Sequence, residues 1–220
     1  TLLTAILAIL LPETFPNREE GETLLKALVK SWWGEGGLWT LLAFSMQMAV
    51  ILVTGYALAS SRPVQALIDW IASMPGSTAS GAMAVALIAV LTGLVNWGLA
   101  LVVGALLARA VGRSLEARKI PCHYPLLAAA GYVGLVVWHG GFSGSAPLSM
   151  TTAEGAAKVL PAQLAAEFAQ EGVPLSETIL SRLNIITSLG MVLIAPLFFF
   201  IVAPKRPEDH EPPSALGITL

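Results

Sequence analysis

The run Trp138-His139-Gly140-Gly141-Phe142-Ser143-Gly144-Ser145-Ala146-Pro147 decides how this chain is read. Three glycines, two serines and a proline do not continue an α-helix comfortably. Yet the run stands inside residues 124–150, a stretch without Lys, Arg, Asp or Glu, and only Tyr124 to Trp138 precede it in helix-compatible form. A helix entering lipid there is expected to open at mid-membrane. Irregular backbone at that depth is tolerated only where it is buried in protein or lines a wet cavity, so the break is itself a pointer to a site.

Composition supports lipid as the solvent. Of 220 residues, 12 are Lys or Arg and 14 are Asp or Glu; the 12 % that is charged compares with roughly 25 % in soluble domains. Hydrophobic residues make up 55 %, the mean hydropathy is +0.75, and the charges cluster between long uncharged runs. A formal net charge of −2 and 7 % aromatics give no basic footprint and no stacking platform, which sets nucleic acid aside. The single cysteine, Cys122, excludes a disulfide within the chain and a multi-cysteine zinc site, and three histidines leave no metal site expected.

Four charge-free stretches are long enough to cross about 30 Å of hydrocarbon: residues 39–60, 81–108, 124–150 and 183–203. A fifth, residues 1–11, has no basic region before it and reads as the end of a truncated helix rather than a signal peptide. Residues 20–33 place Leu24, Leu25, Leu28, Val29 and Trp32 at helical spacing with Glu20, Glu22, Lys26 and Lys30 between them, the pattern of an amphipathic helix lying in the interface. Trp32, Trp33 and Trp39 suit the headgroup level. Residues 204–220, with four prolines among charges, read as a linker between two halves of a larger protein.

The stretch 81–108 is 28 residues with Asn96-Trp97-Gly98 near its middle, so one tilted helix and a re-entrant hairpin of two short arms both fit it. A hairpin puts Arg62, Arg109, Arg113, Arg118, Lys119, Lys205 and Arg206 on one side; a spanning helix gives the more lopsided basic count. The length and the polar break favour the hairpin.

Polar side chains within these stretches are few, among them Gln47, Thr54, Asn96, His139, Ser143, Ser145 and Asn184. An unpartnered polar group in hydrocarbon costs several kcal/mol, so each bonds a neighbour or faces a ligand. The candidate substrate-binding set is Asn96, Trp97, Gly98, His139, Gly140, Gly141, Ser143, Gly144 and Ser145. For each a plainer role stands beside it: Asn96 as an interhelical donor, His139 capping the broken helix, Ser143 and Ser145 capping the next helical piece with Pro147 in its first turn. With no basic side chain in the stretches, an anion would be held by bare N–H groups at half-helix starts, the asparagine amide and the serine hydroxyls, which suits a small monocarboxylate. Importing a negative charge against about 100 mV costs about 2.3 kcal/mol, so uptake calls for a coupled H⁺ or Na⁺. No other cofactor and no catalytic residue is implied.

The runs Leu38-Trp39-Thr40-Leu41-Leu42-Ala43-Phe44-Ser45-Met46-Gln47-Met48, Asn96-Trp97-Gly98-Leu99 with Val102 to Arg109, and Trp138 to Leu148 together resemble the bacterial short-chain fatty acid transporter family. The resemblance covers nearly the whole chain and implies a secondary carrier of acetoacetate- or butyrate-like acids in the cytoplasmic membrane. It also implies the architecture of the ion-transporter superfamily: an all-α polytopic membrane protein of two inverted repeats, each with a re-entrant hairpin and a broken helix whose tips meet at substrate. This chain would be the N-terminal repeat, its partners the bilayer, the missing second half and the monocarboxylate, with a homodimer one assembly open to it. Two other readings compete. Gly141-Phe142-Ser143-Gly144 matches the Gly-x-Ser-Gly of rhomboid-type intramembrane serine proteases, with His139 or His123 as the base. A scaffold or channel subunit would use the same polar groups only to knit helices.

Overall fold

A computed structural model describes residues 6, 10, 23–33, 39, 41–161 and 171–218. The expected truncated helix at 1–11 lies outside them apart from Ile6 and Leu10, as do Glu20 and Glu22. The described residues form α-helices and 3-10 turns joined by short irregular connections, without a strand among them. The chain divides into two compact units, residues 1–50 and 51–220.

In the first unit, α1 spans Leu24–Trp33, within the expected 20–33. It exposes Leu25, Val29, Trp32 and Trp33, and the rings of Trp33 and Trp39 sit 5.6 Å apart. Helix α2 (Leu41–Ala59) starts in this unit and ends in the second.

The second unit is organised by a helical hairpin. Its first arm is α4 (Thr78–Val95) and its second is α5 (Trp97–Ala117), with Asn96 alone between them in extended conformation. The arms are antiparallel: a Cβ on Gly81 would meet Val111 and Leu115, near the far end of α5. The 28-residue stretch is therefore two helices, and they are not short. At 18 and 21 residues the arms run past Gly81 and Ala108 into polar sequence, about 27 and 32 Å long, each enough to cross a bilayer. That division is why five segments rather than four have the length and apolar composition of membrane spans.

Helix α3 (Arg62–Ser73) was invisible to a search for charge-free stretches. Pro63 suits its first turn, and Ile68 and Ala72 bury themselves against α5, flanked by Val64 and Ile71. At the base of the hairpin Ser77 caps α4: its Oγ accepts from the Ser80 N–H while the Ser80 Oγ accepts from the Ser77 N–H. Buried Thr78 then donates to the Pro121 carbonyl at 2.9 Å and accepts from the His123 N–H at 3.0 Å, fixing where α6 (Tyr124–Tyr132) begins.

Lipid tails are as apolar as leucine, so burial alone does not hold such helices together; close packing of small residues does. The interior follows that rule. Ala82, Ala86, Ala108 and Ala130 are buried among Val85, Leu107, Val111, Leu115 and Leu127. Where α5 crosses α6, Gly104 and Gly131 face each other so closely that a Cβ on Gly104 would overlap the Gly131 carbonyl oxygen. The same holds between Gly93 of α4 and Gly134 just past α6.

After α6 the chain opens earlier than Trp138. Residues Val133–Val136 and Trp138–Gly140 are tight 3-10 turns, Gly141 is extended, and α7 (Ser145–Ser149) follows. There Gly134 packs against Ala89 and Gly93 of α4, so closely that a Cβ on Gly134 would overlap the Ala89 carbonyl oxygen. Helix α8 (Ala153–Val159) and a 3-10 turn at Leu175–Glu177 lead to α9 (Arg182–Val202), whose buried Ala195, Pro196 and Phe199 pack in the hairpin's core.

The segment expected to be a linker folds back. Tyr124 N–H donates to the Glu211 carbonyl at 2.9 Å, Glu211 N–H donates to His123 Nδ1 at 3.3 Å, and Pro213 is fully buried. Cys122 is sealed into the same corner, its thiol pushed up to about 11 by burial and by the Glu116 carboxylate, so it stays an unreactive thiol at neutral pH.

Candidate functional site

Two interruptions of helix meet at one place. Asn96 breaks the hairpin because its backbone leaves helical conformation while its side chain begins the next helix: Oδ1 accepts from the Leu99 N–H at 3.0 Å. The 140–144 break reaches the same point from the other side. Ser143 Oγ accepts from the Trp97 N–H at 3.0 Å, and Phe142 N–H donates to the Leu94 carbonyl at 2.7 Å, the C-terminal edge of α4. Each partner supplies what the other's helix end lacks, an acceptor for α5 and a donor for α4.

The glycines of the break are set by contact rather than by φ, since none of them is left-handed. A Cβ on Gly141 would overlap the Leu94 carbonyl oxygen, one on Gly140 would overlap Asn184 Oδ1, and one on Gly144 would sit 2.6 Å from the His139 carbonyl oxygen. Trp138 bridges within the break, its indole N–H donating to the Ser143 carbonyl at 3.1 Å, with its ring 5.7 Å from that of Trp97.

Asn184, in the first turn of α9, completes the frame. Its Nδ2 donates to the Gly140 carbonyl at 2.8 Å and to the Ile179 carbonyl at 2.7 Å. Two carbonyls that no helix satisfies are thus paired by one amide. Asn184 stood among the scarce polar residues but not in the candidate set, and its scarcity was the signal that could have found it. It also sets the depth: the break is level with the first turn of α9, not with its middle.

Of the candidate residues, Asn96, Trp97, Gly98, Gly140, Gly141, Ser143 and Gly144 are brought together. His139 is exposed and stacks on Trp138 at 4.3 Å. Ser145 is exposed in α7. Ser143 caps α5, 46 residues back in sequence, while the N-cap position of α7 belongs to Gly144 and Pro147 lies within that helix.

The geometry narrows what can meet a ligand. Of the bare amides expected at the start of α5, those of Trp97 and Leu99 are taken by Ser143 and Asn96, and Gly98 N–H keeps no partner among the described residues. Asn96 spends only its oxygen on the cap, and its Nδ2 donors have no partner among the described residues. Beside them opens a cavity of about 420 Å³ walled by Ile51, Thr54, Gly55, Leu58, Leu99 and Asn96. An amide donor at the rim of an apolar hollow suits a carboxylate with a short aliphatic tail. A serine nucleophile is not what the arrangement makes: Ser143 Oγ is engaged by a backbone N–H, and His139 stacks on an indole instead of meeting it.

Residues 1–215 match the model of the family described as short chain fatty acid transporter. Two curated proteins are similar, both named "Putative short-chain fatty acid transporter". One, from Escherichia coli (strain K12), is 39 % identical over 210 residues, 95 % of this chain and 42 % of its own length. The other, from Haemophilus influenzae (strain ATCC 51907 / DSM 11121 / KW20 / Rd), is 37 % identical over 176 residues, 80 % of this chain and 38 % of its own. The chain thus spans less than half the length of these relatives. No solved structure matches it.

Proposed function

The chain belongs to the short-chain fatty acid transporter family, and from that premise we propose that it forms one repeat of a secondary carrier. That carrier moves acetoacetate- or butyrate-like monocarboxylates across the cytoplasmic membrane with a coupled H⁺ or Na⁺. It is a multi-pass membrane transport protein and not an enzyme. The observation that carries the finer reading is the pairing of Ser143 with Trp97 beside the unused Asn96 amide: two interrupted helices locked tip to tip, with donors left over and no basic side chain at the junction. The remainder of a full-length relative would supply the second repeat and the other wall of the site.

On this reading Asn96 has two separable jobs. Asn96→Asp in the full-length carrier keeps the oxygen that caps α5 but replaces the amide donors with a negative charge facing the substrate carboxylate. Butyrate uptake into proteoliposomes is expected to fall at least about tenfold, a loss of about 1.4 kcal/mol in transition-state binding, with the melting temperature unchanged. Uptake at the wild-type rate would remove Asn96 from the substrate site.

His139 is the titratable side chain nearest the break, and a proton carrier there would tie uptake to pH. His139→Gln is then expected to flatten the pH dependence of butyrate uptake. A pH profile identical to wild type would assign the coupling elsewhere and leave His139 as a ring stacked on Trp138.

A further inference from the structure

At the opposite end of the hairpin from Asn96, α5 carries Arg109 and Arg113 one turn apart, both exposed. They line a cavity of about 250 Å³ shared with Tyr56 and Ser60 from the end of α2 and Gln65 and Asp69 from α3. Gln65 holds the walls in register, its Nε2 donating to the Ala59 carbonyl at 2.8 Å. Neither arginine makes an ion pair or hydrogen bond among the described residues. Two guanidiniums against the single Asp69 carboxylate leave the cavity with an excess of one positive charge and with arginine N–H donors uncommitted.

Helix α3 presents three faces. Ile68 and Ala72 enter the core, Gln65 and Asp69 face the cavity, and Leu67, Trp70 and Met74 stand exposed in a stripe at 52, 61 and 55 %. A tryptophan and two aliphatic side chains beside unpaired arginines is the combination found where a helix lies at the headgroup level. The same end carries Arg118 and Lys119, and the connections there add Arg62, Lys205 and Arg206; residues 51–220 have only Lys158 and Arg182 otherwise. That asymmetry marks the cytoplasmic side.

We propose that the Tyr56–Gln65–Arg109–Arg113 cavity is a binding site for the phosphate of an anionic membrane phospholipid, its acyl chains lying along Leu67, Trp70 and Met74. The arginines take the phosphate oxygens in bidentate fashion, and the Tyr56 and Ser60 hydroxyls reach the glycerol or the headgroup. The excess of one positive charge favours an anionic lipid over a zwitterionic one, and the Asp69 carboxylate disfavours a second negative charge, so a lipid with one phosphodiester and a headgroup without a cation is the expected occupant. The site stands apart from whatever acid the carrier moves.

The test uses the full-length carrier, purified and delipidated, with melting followed as dioleoylphosphatidylglycerol, dioleoylphosphatidylcholine or inorganic phosphate is added. Phosphatidylglycerol is expected to raise the melting temperature in wild type, with phosphatidylcholine and free phosphate without effect at the same concentrations. The double variant Arg109→Gln/Arg113→Gln should need at least tenfold more phosphatidylglycerol for half the shift, while Lys205→Gln, at the same end, responds like wild type. If the double variant does not fold, Arg113→Gln alone carries the test with an expected fivefold change. Equal responses of wild type and the arginine variants would overturn the proposal. So would a shift produced as well by phosphatidylcholine or by free phosphate, or one lost equally in Lys205→Gln.

Discussion

Gly104→Ala is expected to destabilise the protein by about 2 to 4 kcal/mol and to lower the melting temperature by about 6 to 12 °C. The methyl group would occupy the position of the Gly131 carbonyl oxygen on α6, a backbone atom that cannot rotate away. The two helices would have to part. Parting them also lifts Leu107 and Leu127, both fully buried, out of contact with their neighbours, and in lipid no compensating hydrophobic gain returns them. Gly131→Ala should behave alike, since its Cβ would sit 2.6 Å from the Gly104 carbonyl oxygen. Because both changes open the same crossing, the double variant should cost clearly less than the sum of the singles. Gly190→Ala is the control: nothing lies within 4 Å of its Cβ on α9, and the variant should melt at or above the wild-type temperature. Detergent-solubilised protein followed by size exclusion after heating reads all four. A Gly104→Ala protein melting within about a degree of wild type would mean that the helices do not cross where the structure puts them.

The elements that local chemistry dictates were readable in advance, and those that depend on a distant partner were not. Gly140, Gly141 and Pro147 announce a break because no partner is needed for them to disfavour helix. Asn-Trp-Gly at 96–98 carries its own cap, since Asn96 bonds Leu99 three residues on. By contrast, the unwinding between Val133 and Val137 falls in residues as apolar as any spanning helix, and the packing of Gly134 against the Ala89 carbonyl of α4 pairs it with a partner distant in sequence. Ser143 was expected to cap the helix that follows it; the N–H it finds belongs to Trp97, and spacing along the chain cannot show that. Helix α3 was missed for a different reason. Arg62 and Asp69 disqualified it from a search for uncharged runs, although Pro63 and the spacing of Val64, Ile68 and Ile71 announce an amphipathic helix. The expectation of an opening at mid-depth rested on the helix-compatible residues Tyr124 to Trp138 alone, and that count cannot show that Asn184 ties the break to the first turn of α9.

Asn184→Asp is expected to reduce butyrate uptake by the full-length carrier at least about tenfold at neutral pH, without changing the volume at the site. The native amide donates to the carbonyls of Gly140 and Ile179 at once, and an ionised aspartate has no proton to offer either. Two carbonyls lose their partner, at about 1 to 3 kcal/mol each, and face a negative charge instead. Gly140 would move first, because its Cα already packs against the Asn184 side chain with no room for repulsion. Displacing Gly140 shifts Gly141 and Ser143, and with them the contacts to Leu94 and Trp97 on which both helix ends depend. The sign of the pH response separates this account from simple misfolding. A neutral acid carries one proton and can restore one of the two bonds, so uptake relative to wild type should recover as the pH falls. Thr187→Val, one turn along α9, removes only a bond to that helix's own Leu183 carbonyl and should leave uptake within about twofold. An Asn184→Asp carrier that is abundant in the membrane and transports at the wild-type rate would show that the break does not need α9 to hold its shape.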